Sequence, residues 1–486
     1  DPDVIRVEDT YYMVSTTMHF MPGCEILQSF DLVHWEHATY VYETLDHTDA
    51  QQLKSGQNIY GQGMWAASLR YHEGRFYICF VANDTRKTYL YTSEKIDGPW
   101  KKQLIEGFYH DGSLLFDEDG RNYIVYGNDE IWITELNEDL TAPKKDGLHR
   151  LLVSDHKNPE LGYEGSHIQK INGYYYIFLI HSLRDRWMRT EACFYSDSLE
   201  GEFTGGDVLC DDRGYCGQGV AQGGIVDTPD GKWYAMLFQD SGAVGRIPIL
   251  VPVTWKDHFP VFGQNGHVPE EIEVHSTRPG YIYQPLVGSD DFCNGLLPRW
   301  QFNHDPDPRY YHLDALQGTY TITTREVCTE LTQAVNTLTQ RMSYPSCAAE
   351  VTVDASALKE GDVAGLCALQ GCYAAVGITK HHGKYEVLML DKKEDGILDM
   401  TERTVVESHQ MDFRLEADFC NMKDEARCYY RVNKGDWLPI GTVHKLYFKL
   451  DHFTGCRFGL FCYAAEETGG SACFRDFKYY DVDEIS

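Results

Sequence analysis

Three acidic residues, far apart in the chain, share one local setting. Asp1 opens Asp1-Pro-Asp-Val-Ile-Arg-Val7, Asp111 opens Asp111-Gly-Ser-Leu-Leu-Phe116, and Glu164 lies in Tyr163-Glu-Gly-Ser-His-Ile168. Each is followed by a short residue and then by an apolar run that reads as a strand. A lone acid before a strand is ordinarily a solvated turn residue, and in a chain with 74 acids any three can be made to look meaningful. The repeated setting is what singles these out. Converging carboxylates can divide the work of a hydrolysis. One, ionised, serves as general base on water; one, kept protonated, serves as general acid; a third, ionised nearby, raises the pKa of the acid by like-charge repulsion and orients it. A glycosidic bond suits such a set, because its leaving oxygen needs a proton and its anomeric carbon an activated water.

Residues this distant meet only if the fold returns the start of successive units to one place, and an internal repeat supplies such units. A turn, two residues, then Tyr and an apolar residue recur as Asp9-Thr-Tyr-Tyr12-Met, Gly74-Arg-Phe-Tyr77-Ile, Gly120-Arg-Asn-Tyr123-Ile, Gly173-Tyr-Tyr-Tyr176-Ile and Gly231-Lys-Trp-Tyr234-Ala. From Tyr12 to Tyr234 the spacings are 65, 46, 53 and 58 residues. Most copies are followed by a second theme ending in an aromatic residue, as in Ser29-Phe-Asp-Leu-Val-His-Trp35 and Ser93-Glu-Lys-Ile-Asp-Gly-Pro-Trp100. Each copy is a turn into an aromatic-rich strand, and five such sheets read as the blades of a five-bladed β-propeller. In that fold the innermost strands converge on a central channel, where the three acids would gather. An accidental resemblance among the strands of a sandwich is the alternative.

No stretch carries a sustained helical period, so the fold class is all-β. A Pro- and Gly-punctuated segment from about Phe259 to Gly288 reads as an ordered linker. Beyond it, runs such as Ala348–Val353, Val363–Leu369, Tyr385–Leu390 and Phe458–Tyr463, with turns at Asn433-Lys-Gly435 and Gly469-Gly470, read as a β-sandwich. The division is a propeller over residues 1–285 and a sandwich over 286–486.

Composition narrows the function. The 486 residues carry a net charge of −31, which argues against nucleic acid or an anionic membrane as partner. No apolar run is long enough for a membrane-spanning helix. Fifteen cysteines, an odd count without a Cys-x-x-Cys pair, read as reduced, mostly buried thiols of a cytoplasmic protein. The 33 Tyr, 22 Phe and 9 Trp favour sheets and sites that stack flat ligands.

At these residues the sequence resembles glycoside hydrolase family 43, in its two-domain form with a C-terminal β-sandwich. Asp1-Pro-Asp-Val-Ile-Arg-Val with Asp9-Thr-Tyr-Tyr is similar to the family's opening blade, Tyr163-Glu-Gly-Ser-His to its Glu-Gly-Pro-His stretch, and His110-Asp-Gly-Ser-Leu to the stretch carrying its third acid. Trp300-Gln-Phe-Asn-His-Asp-Pro306 and Leu338-Thr-Gln-Arg341 look like its sandwich. The resemblance implies an inverting, exo-acting hydrolase of hemicellulose oligosaccharides with Asp1 as base, Asp111 as pKa modulator and Glu164 as acid. It implies substrate contacts from Met18, His19, Phe20, Trp65, His110, Gln222 and Arg246, the last reaching into the glycone pocket; a salt bridge is the plainer reading of that arginine. It implies no cofactor for the chemistry. The family carries residues ahead of the first Asp, and we expect the natural chain to do the same. Oligomers are common among the relatives, and no feature of the sequence selects a number.

Departures from the pattern carry information. Ala221-Gln-Gly-Gly224 stands where the family often has Gly-His-Gly, so Gln222 replaces a His that faces a channel metal or water. A structural Ca²⁺ there, or a water-filled channel, both remain open readings. Met18 and Phe20 stand where β-xylosidase relatives have Phe and Trp. That softer wall turns the expectation toward α-L-arabinofuranosyl release from arabinoxylan, with β-D-xylosidase activity as the alternative. Retaining five-bladed sucrose and fructan hydrolases would show an Asn-Asp-Pro-Asn opening and an Arg-Asp-Pro segment, both missing here. A carbohydrate-binding propeller would have no need of the intact acid set.

Overall fold

The computed structural model describes residues 1–481. Among them, residues 3–262 form five consecutive four-stranded antiparallel sheets. The innermost strands of blades one to five are Asp3–Val7, Met64–His72, Ser113–Phe116, Glu164–Ile171 and Ile225–Asp227. Within each blade the strands run in sequence order from the channel outward, and only in blade one does a strand of another sheet, Phe20–Met21, intervene.

The repeated motif is the hairpin between first and second strands. In blades two and four its turn is Glu73-Gly74 and Asn172-Gly173, both residues of each pair at positive φ, the geometry that matches strand twist and that asparagine and glycine tolerate best. The tyrosines that follow face the inter-blade cores: Tyr123 and Tyr176 are almost wholly buried, in the clusters between blades three and four and between blades four and five.

Side chains knit the inner strands around the channel. Asp3 bonds Arg70 Nη1 at 2.8 Å and lies 3.2 Å from His167 Nδ1; Arg70 also donates to Ser113 Oγ at 2.7 Å and to the Ile168 carbonyl at 3.1 Å. Four blades are thereby tied through one buried network. The ring closes where Arg6 of blade one meets Asp227 of blade five at 2.5 Å, over a shared apolar cluster that includes Val4, Tyr11, Val226 and Tyr234.

The stretch expected to be linker from Phe259 begins one strand later. Phe259–Phe262 is the outer strand of blade five, and Pro260 is tolerated there because an edge strand leaves its missing N–H without consequence. The remaining chain builds a sandwich of a seven-stranded and an eight-stranded sheet, with the four runs read from sequence inside strands Ser346–Asp354, Val363–Leu369, Lys384–Lys392 and Arg457–Tyr463. The eight-stranded sheet ends on a strand from the other domain: Phe20–Met21 of the propeller pairs antiparallel with Gln301–Asn303. Eight of the fifteen cysteines are buried, and all fifteen are unpaired. No helix of the described residues is long and apolar enough to cross a membrane.

Candidate active site

The three acids stand where the innermost strands of blades one, three and four begin, at the same end of the channel. Backbone irregularities aim the side chains. Asp111 sits at φ 47°, two residues ahead of its strand. The inner strand of blade four shifts register between Glu164 and His167, and that of blade two between Met64 and Ala67, which re-aims Glu164 and Trp65 at the channel mouth. Left-handed φ values at non-glycine residues cost energy and are held only by their surroundings. Here the Gly165 N–H, donating to Asp111 Oδ2 at 3.0 Å, supplies part of that support.

Asp1 is bound from two sides. Thr16 Oγ1 donates to Oδ2 at 2.6 Å, and Arg246 Nη1 pairs with Oδ1. Arg246 Nε reaches Asp240 Oδ1 at 3.2 Å, and Arg189 Nε holds the other Asp240 oxygen at 2.9 Å. The Arg246 guanidinium lies between two rings, with Phe238 and Phe453 each 4.4 Å away. Phe453 comes from the sandwich and packs edge-on against Trp65 at 5.6 Å, so the second domain closes one side of the site.

Asp111 and Glu164 form a second cluster with His110. The imidazole Nε2 is 3.4 Å from both Asp111 Oδ2 and Glu164 Oε2, and Asn128 Nδ2 donates to the same Glu164 oxygen at 2.9 Å. Burial, helped by the negative charge of Glu164, raises the Asp111 carboxyl above its ordinary value against the pull of His110. Burial pushes Glu164 upward too, but the hydrogen bond and charge of His110, with Arg189 and Arg246, more than reverse this and leave it below the ordinary carboxylate value. His110 is raised to about 9, chiefly by Asp111, and is an imidazolium at neutral pH. In the free site the proton of this cluster therefore rests on His110 in preference to Glu164.

The other residues expected at the site divide into two groups. Trp65, His110 and Arg246 join the acids. Met18, His19 and Phe20 do not reach the surface: all three are wholly buried between the domains. Met18 exchanges backbone hydrogen bonds with Met64, His19 packs against Tyr60, His304 and His452, and Phe20 lies under the Arg457 guanidinium at 3.5 Å. Their apolar character serves that interface, so they back the site without facing it. Gln222 is 3% exposed and packs on Gly165, the residue after Glu164.

Metal ligation has one candidate group among the described residues. His110, Asp111 and Glu164 place ligand atoms within 4.8 Å of one another. The buried acid beside Gln222, Glu191, uses Oε2 to accept the Gln222 N–H at 2.7 Å.

Sequence reasoning missed Thr16, Asn128, Arg189, Asp240 and Phe453. Asp240 precedes Arg246 in one hairpin and could have been paired with it by spacing. Nothing in the sequence ties Arg189 or Phe453 to the site. A cavity of about 480 Å³ adjoins the cluster on the sandwich side, lined by Asp1, Thr16, Phe238, Arg246 and Phe453 but not by Asp111 or Glu164.

A five-bladed propeller whose inner strands deliver two aspartates and a glutamate to one mouth, beside a paired arginine and an imidazolium, has the layout of a propeller glycoside hydrolase. The chain belongs to glycosyl hydrolases family 43: the model of that family matches residues 1–260, and that of the beta xylosidase C-terminal Concanavalin A-like domain matches residues 289–480. Among solved structures, a bifunctional GH43-CE chain of Bacteroides eggerthii is 42% identical with a TM-score of 0.91, covering 99% of this chain and 62% of that one. This chain thus spans about three fifths of that relative's length. A beta-xylosidase of Formosa agariphila is 26% identical, covering 99% of this chain and 87% of its own. A non-reducing end alpha-L-arabinofuranosidase of Bacteroides ovatus is 25% identical over 65% of this chain and 62% of its own. The protein is a glycoside hydrolase.

Proposed function

We propose that this hydrolase removes terminal pentosyl units from xylan-type oligosaccharides with inversion at the anomeric carbon. The observation that carries the reading is the delivery of Asp1, Asp111 and Glu164 to one mouth in two different electrostatic settings. Asp1, held by Arg246 and Thr16, is the general base that takes a proton from the attacking water. Glu164 is the general acid that gives a proton to the leaving oxygen, and Asp111 tunes it. A bound sugar ring displaces water from Glu164, which favours its neutral form and draws a proton from the His110–Asp111 pair.

The identity of the pentose rests on less. The expectation of α-L-arabinofuranosyl release drew on a soft wall at Met18 and Phe20, and their burial removes that argument. It keeps the support of the B. ovatus relative's name; the F. agariphila name supports β-D-xylosyl release to the same degree. Parallel turnover of 4-nitrophenyl α-L-arabinofuranoside and 4-nitrophenyl β-D-xylopyranoside decides between them. Proton NMR of the first-formed sugar tests inversion. Release of neither sugar, or a product of retained configuration, would overturn the reading.

A further inference from the structure

Glu191 lies on the third strand of blade four, Arg189–Ser196, away from the reacting groups, and is wholly buried. Oε2 accepts the backbone N–H of Gln222 at 2.7 Å, while Oε1 has no partner. Gln222 itself sits at φ 63°, a left-handed conformation that a non-glycine residue holds only when something fixes it. Its side chain runs across Gly165 so closely that a Cβ built on that glycine would come within 2.7 Å of Gln222 Cγ and Cδ. Gly165, at φ 66°, is the residue after Glu164, and its N–H is the backbone donor to Asp111. One line of contacts therefore runs from Glu191 through Gln222 and Gly165 to both carboxyls of the acid pair.

We propose that Glu191 and Gln222 are positioning residues for Glu164 and Asp111: the Glu191 carboxyl fixes the Gln222 backbone, and the Gln222 side chain presses Gly165 into the turn that aims the pair. This rests on the reading of Glu164 as the general acid. It gives Gln222 a packing role, in place of ligation to a channel metal or contact with sugar. Burial holds the Glu191 carboxyl well above the ordinary range, so it acts as a neutral hydrogen-bonding group, and a neutral carboxyl loses less than a carboxylate by leaving Oε1 without a partner. Glycine is required at 165 on two counts, its positive φ and the space the glutamine fills.

The test uses the full chain and two substrates with the same pentose, the xylo- or arabinoxylo-oligosaccharide and the 2,4-dinitrophenyl glycoside, whose leaving group needs no proton. Gln222→Ala is expected to lower kcat/KM on the oligosaccharide by roughly 10- to 100-fold, with the loss mainly in kcat, and to leave most of the turnover of the activated glycoside. Its alkaline limb should move to lower pH, because water admitted beside Glu164 favours the carboxylate. Gln222→Met, similar in length and without the amide, should restore most of what alanine loses. Glu191→Gln, which keeps an acceptor for the Gln222 N–H, should likewise recover most of the loss caused by Glu191→Ala. The proposal is overturned if Gln222→Ala is neutral, if methionine is no better than alanine, or if both substrates lose equally. Glu164→Ala runs alongside as control. Failure of that variant to discriminate between the substrates would bring down the reading of Glu164 itself and this inference with it. Discrimination there combined with none at Gln222 would bring down only the inference.

Discussion

Arg246 and Asp1, separated by 245 positions in the chain, are joined by a direct ion pair from guanidinium to carboxylate. The same arginine holds Asp240 through Nε, so its plane is fixed by two acids at once and in turn fixes the carboxylate of the base. The salt bridge and the place at the pocket, read from sequence as alternatives for this residue, are one arrangement.

From that fork follows a test that charge alone would not pass. Arg246→Lys keeps the cation but cannot address both acids in a plane. We expect kcat/KM to fall by at least about 100-fold, as misplacement of a reacting group by about 1 Å does, while thermal unfolding shifts by only a few degrees. A lysine variant with near-normal turnover would show that the positive charge suffices and the geometry does not matter.

Glu164→Ala is expected to abolish cleavage of natural oligosaccharides, a loss of roughly 10²- to 10⁴-fold for a missing general acid, and to spare glycosides with strongly acidic leaving groups. Equal rates on both kinds of substrate would remove Glu164 from the role.

His110 gives the protein a pH-dependent component of stability. Its pKa in the folded state, about 9, lies above the ordinary 6.5 because of Asp111 and Glu164. A group raised on folding stabilises fully below its unfolded value and loses that contribution as pH climbs through its folded one. The contribution, up to roughly 3 kcal/mol from the size of the shift, should therefore be complete below pH 6.5 and gone above about 9. Urea unfolding of wild type and His110→Phe at both ends of that window checks it: the two curves should converge at the alkaline end.

Arg457 presents the opposite case, a cation that the interface holds without an acid. It is 1% exposed, gives Nη1 to Gln301 Oε1 at 2.8 Å, and leaves Nε and Nη2 without partners. Burial drives it well below the usual arginine value. A buried cation with no counter-charge carries a desolvation cost that an apolar side chain of similar volume avoids. Arg457→Met should leave the unfolding temperature unchanged or higher. A fall of several degrees would mean that the cation–π contact with Phe20 outweighs the desolvation.

What was legible in the sequence was whatever repeats or alternates locally. The five hairpins announced themselves because each must turn and then bury an aromatic residue, and the three acids because each stands at the start of an inner strand. Residues whose roles depend on contact between distant blades left no local sign. Arg189 reads as one basic residue among many until Asp240 and Arg246 are seen beside it. Met18, His19 and Phe20 were assigned by position to the sugar, but an apolar, aromatic segment fits an interdomain core as readily as a pocket wall. Only the fold shows which side it faces. The linker read from about Phe259 takes in the outer strand of blade five, because an edge strand accepts a proline, Pro260, that an inner one would refuse.

The pairing of Phe20–Met21 with Gln301–Asn303 places the border between the two halves inside a sheet. A chimera that grafts this sandwich onto another propeller would bring a bare strand edge unless the loop through Pro22 travelled with it. In calorimetry the two halves should melt together, and the pocket shared by Arg246 and Phe453 should form only when both have folded.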